Sequence, residues 1–252
     1  SKKGAVATTA AADRAISGSP GTCRYGEFDG DDDFVEVDIG STLANSKQVT
    51  FSMWFNADSI GASGQSSRGL FAFKQKSGGN NLKVAANFLK STGKKLNIKF
   101  GSQSDNFLTA HEFDINTWYF LSMVYDGTLP QSQRIKIYVN GVLDGTYSEK
   151  DSQFLSSASS LFIGALDNSG GNLDVFDGSI DEFAIFPFAY SQSKINQLMN
   201  QSRPCPVALD HIRISHAGSG VSCAAHSFEL TACANADCSS IYNGSDIDFT
   251  LQ

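Results

Sequence analysis

Four aspartates crowd into five consecutive positions near the start of the chain, in the run Asp29-Gly30-Asp31-Asp32-Asp33. Carboxylates this close together repel one another unless water solvates them or a cation neutralises them. Calcium takes about six to eight oxygen ligands, mostly carboxylates, backbone carbonyls and water. The run therefore predicts either a calcium site or a solvated acidic turn. It is not an EF-hand loop, because no glutamate follows at the twelfth position.

Other carboxylates do not form a catalytic pattern. Retaining glycosidases hold two carboxyl groups about 5–5.5 Å apart, which on one strand requires alternating acidic residues. Glu36 and Asp38 alternate, but no third carboxylate follows them in residues 39–42. Asp181 and Glu182 are adjacent, so they point to opposite faces of a strand. A G-x-S-x-G nucleophile motif is also absent from the sequence. We therefore expect no enzymatic activity.

The cysteines favour disulfides over a metal site. A zinc site needs paired Cys-x-x-Cys motifs or histidines at matching offsets, and the run from Cys233 to Cys238 has no second pair. His211 and His216 do not complete it, because five positions apart on a strand they face opposite sides. Disulfides indicate an oxidising compartment. The count is odd, so one thiol is free or has its partner outside this segment: Cys23, Cys205, Cys223, Cys233 and Cys238.

The composition excludes several classes of protein. The chain has 252 residues, of which 41% are hydrophobic and 18% charged, and its net charge is −7. This hydrophobic fraction is too high for general disorder. Nucleic-acid binding is not expected, because an acidic chain cannot neutralise phosphates. No apolar stretch approaches the about 20 residues of a membrane helix. The 23 Gly and 19 Phe suit many short strands joined by tight turns.

The elements that position these residues follow from hydrophobic periodicity. Residues 48–56 alternate, with apolar side chains on one face and Trp54 among polar ones on the other. Trp54 is placed either to stack on a sugar or to pack under a loop, and we favour packing. Asn140-Gly141 predicts a tight hairpin. Residues 191–200 predict a short helix capped by Ser191. The residues predicted to be buried between two sheets are Val49, Phe51, Met53, Phe55, Ile135, Ile137 and Val139.

Changes in composition divide the chain into three parts. Residues 1–20 are small and polar and predict a loose arm or an edge strand. Residues 21–203 contain most of the predicted strands and the helix. Pro204 and Pro206 interrupt regular structure. Residues 204–252 begin a second set of alternating runs, at 208–215, 227–232 and 247–251. About 45 residues are too few for a large core of their own. We interpret them as a partial second β domain, and the whole chain as a portion of a larger protein.

Six motifs follow one another in order between about residues 25 and 200. The motifs are FDGDDDFVEV (28–37), FSMWF (51–55), WYFLSMVYDG (118–127), IYVNG (137–141), FIG (162–164) and DGSIDEF (177–183). Together they resemble the laminin-G-like, concanavalin A-like family of lectin domains. This resemblance implies an all-β jelly-roll sandwich of two antiparallel sheets, followed here by a short C-terminal β segment.

The tail, residues 208–239, resembles the segment that follows the lectin-like domain in MshQ-type proteins. Those proteins are encoded with the mannose-sensitive haemagglutinin type IV pili of marine gammaproteobacteria. The resemblance implies a pilus-associated protein of the bacterial cell surface or exterior, with pilus components as partners. A ligand-binding or adhesion module for a glycan or surface glycoprotein is expected, and a spacer domain that binds nothing is the alternative. A polysaccharide-active enzyme is favoured less than either.

The resemblance also bears on the candidate site residues. Concanavalin A-like domains often carry structural calcium, which implies Asp29 and Asp181 as ligands, with Asp33 third. A loop site using Asp105, Asp126 or Asp167 is the runner-up. In a sandwich whose terminal strands are neighbours, Cys23 and Cys205 come within disulfide distance. We therefore expect a Cys23–Cys205 bridge, and Cys233–Cys238 as a local pair.

Overall fold

The computed structural model describes residues 2–3, 7–8, 25–60, 67–75, 81–100, 106–154, 159–168, 172–201, 209–216 and 228–242. The chain divides into two compact units, residues 1–203 and residues 204–252.

The described part of the first unit is almost entirely β structure, and its only α-helix is α1 (Gln192–Met199). Its strands are β1 (Lys2–Lys3), β2 (Ala7–Thr8), β3 (Gly26–Asp29), β4 (Phe34–Gly40), β5 (Gln48–Ala57), β6 (Ser67–Gln75), β7 (Asn81–Leu89), β8 (Leu96–Phe100), β9 (Asn106–Leu108), β10 (Trp118–Asp126), β11 (Ile135–Val139), β12 (Val142–Tyr147), β13 (Ser159–Ile163), β14 (Ala165–Asn168), β15 (Asn172–Val175) and β16 (Asp177–Phe186).

Two large antiparallel sheets form the sandwich. The first has the strand order β1-β4-β13-β6-β7-β8-β9, and the second has the order β12-β11-β10-β5-β16-β3-β2. Strands β14 and β15 form a separate hairpin. The predicted fold class is therefore confirmed. The two described pieces of the N-terminal arm, β1 and β2, pair with β4 and β3.

Aromatic side chains dominate the core between the sheets. Phe51 of the second sheet lies 5.0 Å, centroid to centroid, from Phe73 of the first. Phe55 contacts Phe88 in the same way at 6.1 Å. All seven residues predicted to be buried are at most 5% exposed. The sequence pattern thus identified the inner face of the second sheet correctly.

The outer face of the second sheet is covered by helix α1. Ile195 is fully buried there, in one cluster with Trp54, Phe120, Val124 and Tyr138. Trp54 is only 5% exposed, and its ring lies 5.3 Å from that of Phe120. Trp54 is therefore a packing residue, as expected, but the segment that covers it is helix α1 and not a loop.

The local turn and cap predictions are confirmed as well. Asn140 and Gly141 have φ values of 50° and 75°, so both take the left-handed conformation that a tight hairpin requires. Val139 pairs directly with Val142 across this turn. The Ser191 side chain accepts a hydrogen bond from the Lys194 backbone N–H and caps α1.

The described part of the second unit contains one hairpin, formed by β17 (His211–His216) and β18 (Phe228–Cys233). The two strands match the first two runs predicted after the prolines. The third predicted run, residues 247–251, lies outside the described residues.

Candidate functional site

The acidic run forms the turn between β3 and β4, hereafter the acidic turn (residues 29–33). Asp29 ends β3, and its carboxylate accepts a hydrogen bond of 2.9 Å from the Asp31 N–H. Asp33 is 2% exposed, and its Oδ2 accepts a hydrogen bond of 3.3 Å from the Asp29 N–H. Carboxylate oxygens of Asp29, Asp32 and Asp33 lie within 4.8 Å of one another. This arrangement can chelate a hard cation.

Asp181, which was predicted as a ligand together with Asp29, lies elsewhere on the sheet. Asp29 pairs with Asp177 of β16, whereas Asp181 pairs with Trp54. The four residue steps from Asp177 to Asp181 span about 13 Å at the usual rise of a strand. Asp181 instead accepts a hydrogen bond of 2.9 Å from the N–H of Glu182, which has a φ of 51° at an irregularity in β16. The structure brings Asp29 and Asp33 together with Asp32 and does not bring Asp181 to them.

The runner-up calcium site has its described residues on different elements. Asp126 ends β10, and its carboxylate accepts hydrogen bonds from Thr128 and Gln48. Asp167 lies on β14. Asp105 lies outside the described residues.

Arg68 of β6 joins the acidic turn to Asp177 of β16. This side chain, 8% exposed, donates a 2.8 Å hydrogen bond from Nη1 to the Gly30 carbonyl. Its Nη2 lies 3.7 Å from Oδ2 of Asp177, which also accepts a 2.5 Å hydrogen bond from the Ser59 hydroxyl. Gly30 has a φ of 76°, and a Cβ there would lie 2.8 Å from the Cβ of Asp177. Only glycine allows the turn to lie this close to the ion pair. Sequence reasoning missed Arg68, because its contacts come from distant parts of the chain.

Asp58 adds negative charge beside this ion pair. Burial raises the pKa of Asp58, and repulsion from the Asp177 carboxylate and then from Glu27 raises it further. The Asp58 backbone N–H donates a 2.9 Å hydrogen bond to the Asp177 carbonyl. This end of the second sheet therefore carries several carboxylates close together, which favours a cation over an anion.

A second group of potential metal ligands consists of His211, Cys233 and Cys238. It is not a zinc site, because the two sulfurs form a disulfide with a Cα–Cα distance of 4.8 Å. Cys23, Cys205 and Cys223 lie outside the described residues, so the Cys23–Cys205 bridge stays a prediction.

Three aromatic residues occupy every second position from the last residue of β16 onwards. They are hereafter called the aromatic platform (Phe186, Phe188 and Tyr190). Phe188 is 56% exposed. The rings of Phe188 and Tyr190 are inclined by only 12°, with centroids 6.2 Å apart, and those of Phe186 and Tyr190 are 4.9 Å apart. Sequence reasoning missed this group. The alternation at 186, 188 and 190 was a signal, but it resembles the buried face of a strand.

Comparison with known proteins identifies the family. Residues 29–196 match the family described as the concanavalin A-like lectin/glucanases superfamily, laminin G type. The chain belongs to this superfamily. Residues 209–252 of this superfamily member match a domain of unknown function, DUF8613. No curated protein matches the chain.

Solved structures of low identity share the fold of this laminin-G-like domain. A heptameric SAP-like pentraxin from Limulus polyphemus is 19% identical, with a TM-score of 0.54, covering 71% of this chain and 83% of the pentraxin. Domain 4 of AbnA, an extracellular arabinanase from Geobacillus stearothermophilus solved with arabinotriose, is 18% identical, with a TM-score of 0.54, covering 79% of this chain and 82% of that domain.

A structure of botulinum neurotoxin type C, described as interacting with two ganglioside molecules, is also similar. It is 17% identical, with a TM-score of 0.54, and the match covers 83% of this chain and 48% of that chain. Within the described residues of this chain, no helix is long and apolar enough to cross a membrane.

Proposed function

We propose that this chain is an extracellular carbohydrate-binding module of a bacterial surface protein. The observation that carries the proposal is that residues 29–196 belong to the concanavalin A-like lectin/glucanase superfamily. Two proteins of similar fold support it, since one was solved with arabinotriose and the other is described with gangliosides. The Cys233–Cys238 disulfide supports an oxidising compartment outside the cytoplasm.

Association with a type IV pilus is the finer part of this proposal. It rests on the resemblance of residues 208–239 to MshQ-type proteins. Pilus components are then the expected protein partners, and a glycan or surface glycoprotein is the expected ligand. Co-purification of the full-length protein with sheared pili tests this part separately from sugar binding.

Binding is favoured over catalysis by the placement of the strand carboxylates. Glu36 and Asp38 lie on β4, and Asp38 is exposed with its carboxylate accepting a 2.8 Å hydrogen bond from the Gly40 N–H. The Asp181 carboxylate likewise accepts a hydrogen bond from a backbone N–H of its own strand, that of Glu182. Neither arrangement resembles two carboxyl groups facing each other across a sugar.

The test of the proposal is binding of the purified chain to a glycan array, with competition by the free sugar. Retention of the chain on particular glycans, released by the soluble sugar, is the expected result. A flat array at high protein concentration, in calcium and in chelator, supports the spacer domain instead.

We further propose that the acidic turn binds a structural calcium ion through Asp29 and Asp33. Because Asp181 is about 13 Å along the strand from the position opposite Asp29, Asp32 takes its place as the third carboxylate. Calcium at a hundredfold over its dissociation constant should stabilise the fold by about 2.7 kcal/mol. Thermal melts in calcium and in chelator measure this shift.

Matched variants locate the calcium. Asp32→Asn should abolish the shift, and Asp181→Asn should retain it. Coincident melts of the wild type in calcium and in chelator contradict a calcium site. If the shift is lost in Asp181→Asn but retained in Asp32→Asn, the ligands are Asp29, Asp181 and Asp33, as the sequence predicted.

A further inference from the structure

We propose that the aromatic platform is a sugar-binding site that stacks an uncharged sugar ring on Phe188 and works without calcium. The inference rests on the proposed function, because it names the surface and the ligand class through which the module binds.

The first observation is an exposed ring on a fixed backbone. Phe188 is 56% exposed, although phenylalanine is normally buried. The segment carrying it is fixed by Thr50, a fully buried residue of β5. The Thr50 hydroxyl donates a 2.6 Å hydrogen bond to the Phe188 carbonyl and accepts a 3.0 Å hydrogen bond from the Tyr190 N–H. The ring is therefore presented from an ordered backbone, which lowers the entropic cost of binding.

The second observation is the arrangement of the rings. The planes of Phe188 and Tyr190 differ by 12° while their centroids are 6.2 Å apart, so the rings are nearly parallel and offset. The Phe186 ring packs against the Tyr190 ring and fixes the position of Tyr190. The apolar C–H face of a sugar ring packs well on such an aromatic face.

The third observation is the polar border of the platform. Lys194 Nζ lies 5.9 Å from the centroid of the Tyr190 ring and donates a 3.5 Å hydrogen bond to Gln197 Oε1. Ser191, which follows Tyr190 directly in the chain, is exposed. Hydroxyls and amides beside an apolar face are the groups that bind the hydroxyls of a sugar.

The size of the exposed apolar surface favours a sugar over a protein or a membrane. A phenylalanine side chain offers about 150–250 Å², so Phe188 exposes on the order of 100 Å². A stable protein interface takes about 800 Å² from each partner, and surface patches that bind membranes are also several times larger. One sugar ring matches the available surface.

Charge favours an uncharged sugar. The Lys194 ammonium already interacts with Tyr190 and Gln197. The chain as a whole carries a net charge of −7 and repels anionic glycans. Sialylated and uronate-rich glycans are therefore expected to bind less tightly than neutral ones.

Sugar binding at the aromatic platform is expected to be independent of calcium, because the platform is far from the acidic turn. Asp177, opposite the acidic turn, and Phe186 are the two ends of β16, and the nine residue steps from one to the other span about 30 Å. A calcium ion at the acidic turn is too far away to contact a sugar on the platform.

The experiment measures the affinity of the wild-type chain and three variants for the neutral glycan that the array retains most strongly. Phe188→Ala should weaken binding by about tenfold or more, the effect of losing about 1.4 kcal/mol of stacking, and Phe188→Tyr should bind like the wild type. Ile115→Ala removes another exposed apolar side chain, 49% exposed on a different loop, and is the matched control. Calcium and chelator should give the same affinities. Each variant is checked for an unchanged thermal melt.

The outcomes separate the two proposals. A flat array for the wild type contradicts the proposed function and this inference together. Glycan binding that is unchanged in Phe188→Ala, that disappears in chelator, or that is confined to anionic glycans leaves the module a lectin and overturns the assignment of its site.

Discussion

At the scale of single residues, Arg68 is the cation that contacts both the acidic turn and Asp177. Replacing it by methionine keeps most of its apolar stem but leaves the Asp177 carboxylate and the Gly30 carbonyl without this donor. Breaking a largely buried pair in this way costs about 3–5 kcal/mol. Urea unfolding of Arg68→Met should show a loss near that size, and Arg68→Lys, which keeps the charge, should lose less. Equal stability of wild type and Arg68→Met would contradict the role of this ion pair.

Asp58 gives a prediction for the dependence of stability on pH. Burial and the nearby Asp177 and Glu27 carboxylates raise its pKa above the ordinary 3.8. The folded state thus holds the proton more tightly than the unfolded chain, so ionisation of Asp58 costs stability above its folded pKa. Asp58→Asn should be more stable than the wild type at pH 7, by less than about 1 kcal/mol because solvent screens the side chain. The difference should shrink as the pH falls towards 3.8.

Asp114 provides the control with the opposite sign. The 2.6 Å hydrogen bond from the Lys94 ammonium, together with its charge, lowers the pKa of Asp114. Its ionised form therefore stabilises the fold, and this contribution is lost as the pH falls through its pKa. Asp114→Asn should be slightly less stable than the wild type at pH 7 and should approach it in acid. Urea unfolding at a series of pH values measures both variants, and trends of the same sign would refute the assignment.

At the scale of elements, helix α1 is attached to the second sheet mainly through Ile195. Ile195 is fully buried in the cluster with Trp54, Phe120 and Tyr138. Ile195→Ala should lower the free energy of unfolding by about 2–4 kcal/mol, because it removes buried methyl groups and leaves a cavity. Ser193→Ala, on the exposed side of the same helix, should change it by no more than about 0.5 kcal/mol. Chemical denaturation compares the two, and similar stabilities would mean that the helix contributes little to the fold.

At the scale of the whole molecule, the predicted Cys23–Cys205 bridge links two cysteines that lie outside the described residues. Peptide mapping without reduction should recover Cys233–Cys238 and a second bridge between Cys23 and Cys205. The second bridge closes a loop of most of the chain, so its removal in a Cys23→Ser, Cys205→Ser double variant should cost a few kcal/mol in the chain-entropy model. A peptide that links Cys23 to Cys223 would refute this pairing.

Much of the fold was predictable because its signals are local. The alternation in residues 48–56 places Phe51 and Phe55 on the inner face, since side chains along a strand alternate between its two faces. The Asn140-Gly141 turn and the Ser191 cap depend only on the conformational preferences of a few adjacent residues. The acidic turn was also visible in the sequence, because its carboxylates are neighbours along the chain.

The tertiary structure decided which distant residues meet. Register between strands places Asp29 opposite Asp177 and leaves Asp181 opposite Trp54, and register is fixed by long-range packing that no local pattern encodes. The irregularity between Asp181 and Ala184 then shifts the alternation of β16, so that Phe186 lies on the same face as Thr50. Phe188 follows on a turn that Thr50 holds, from 138 positions away in the chain. The sequence by itself thus determined the faces of the strands and the acidic turn. Only the folded chain determined that Asp181 is separate from this turn and that an aromatic ring is exposed.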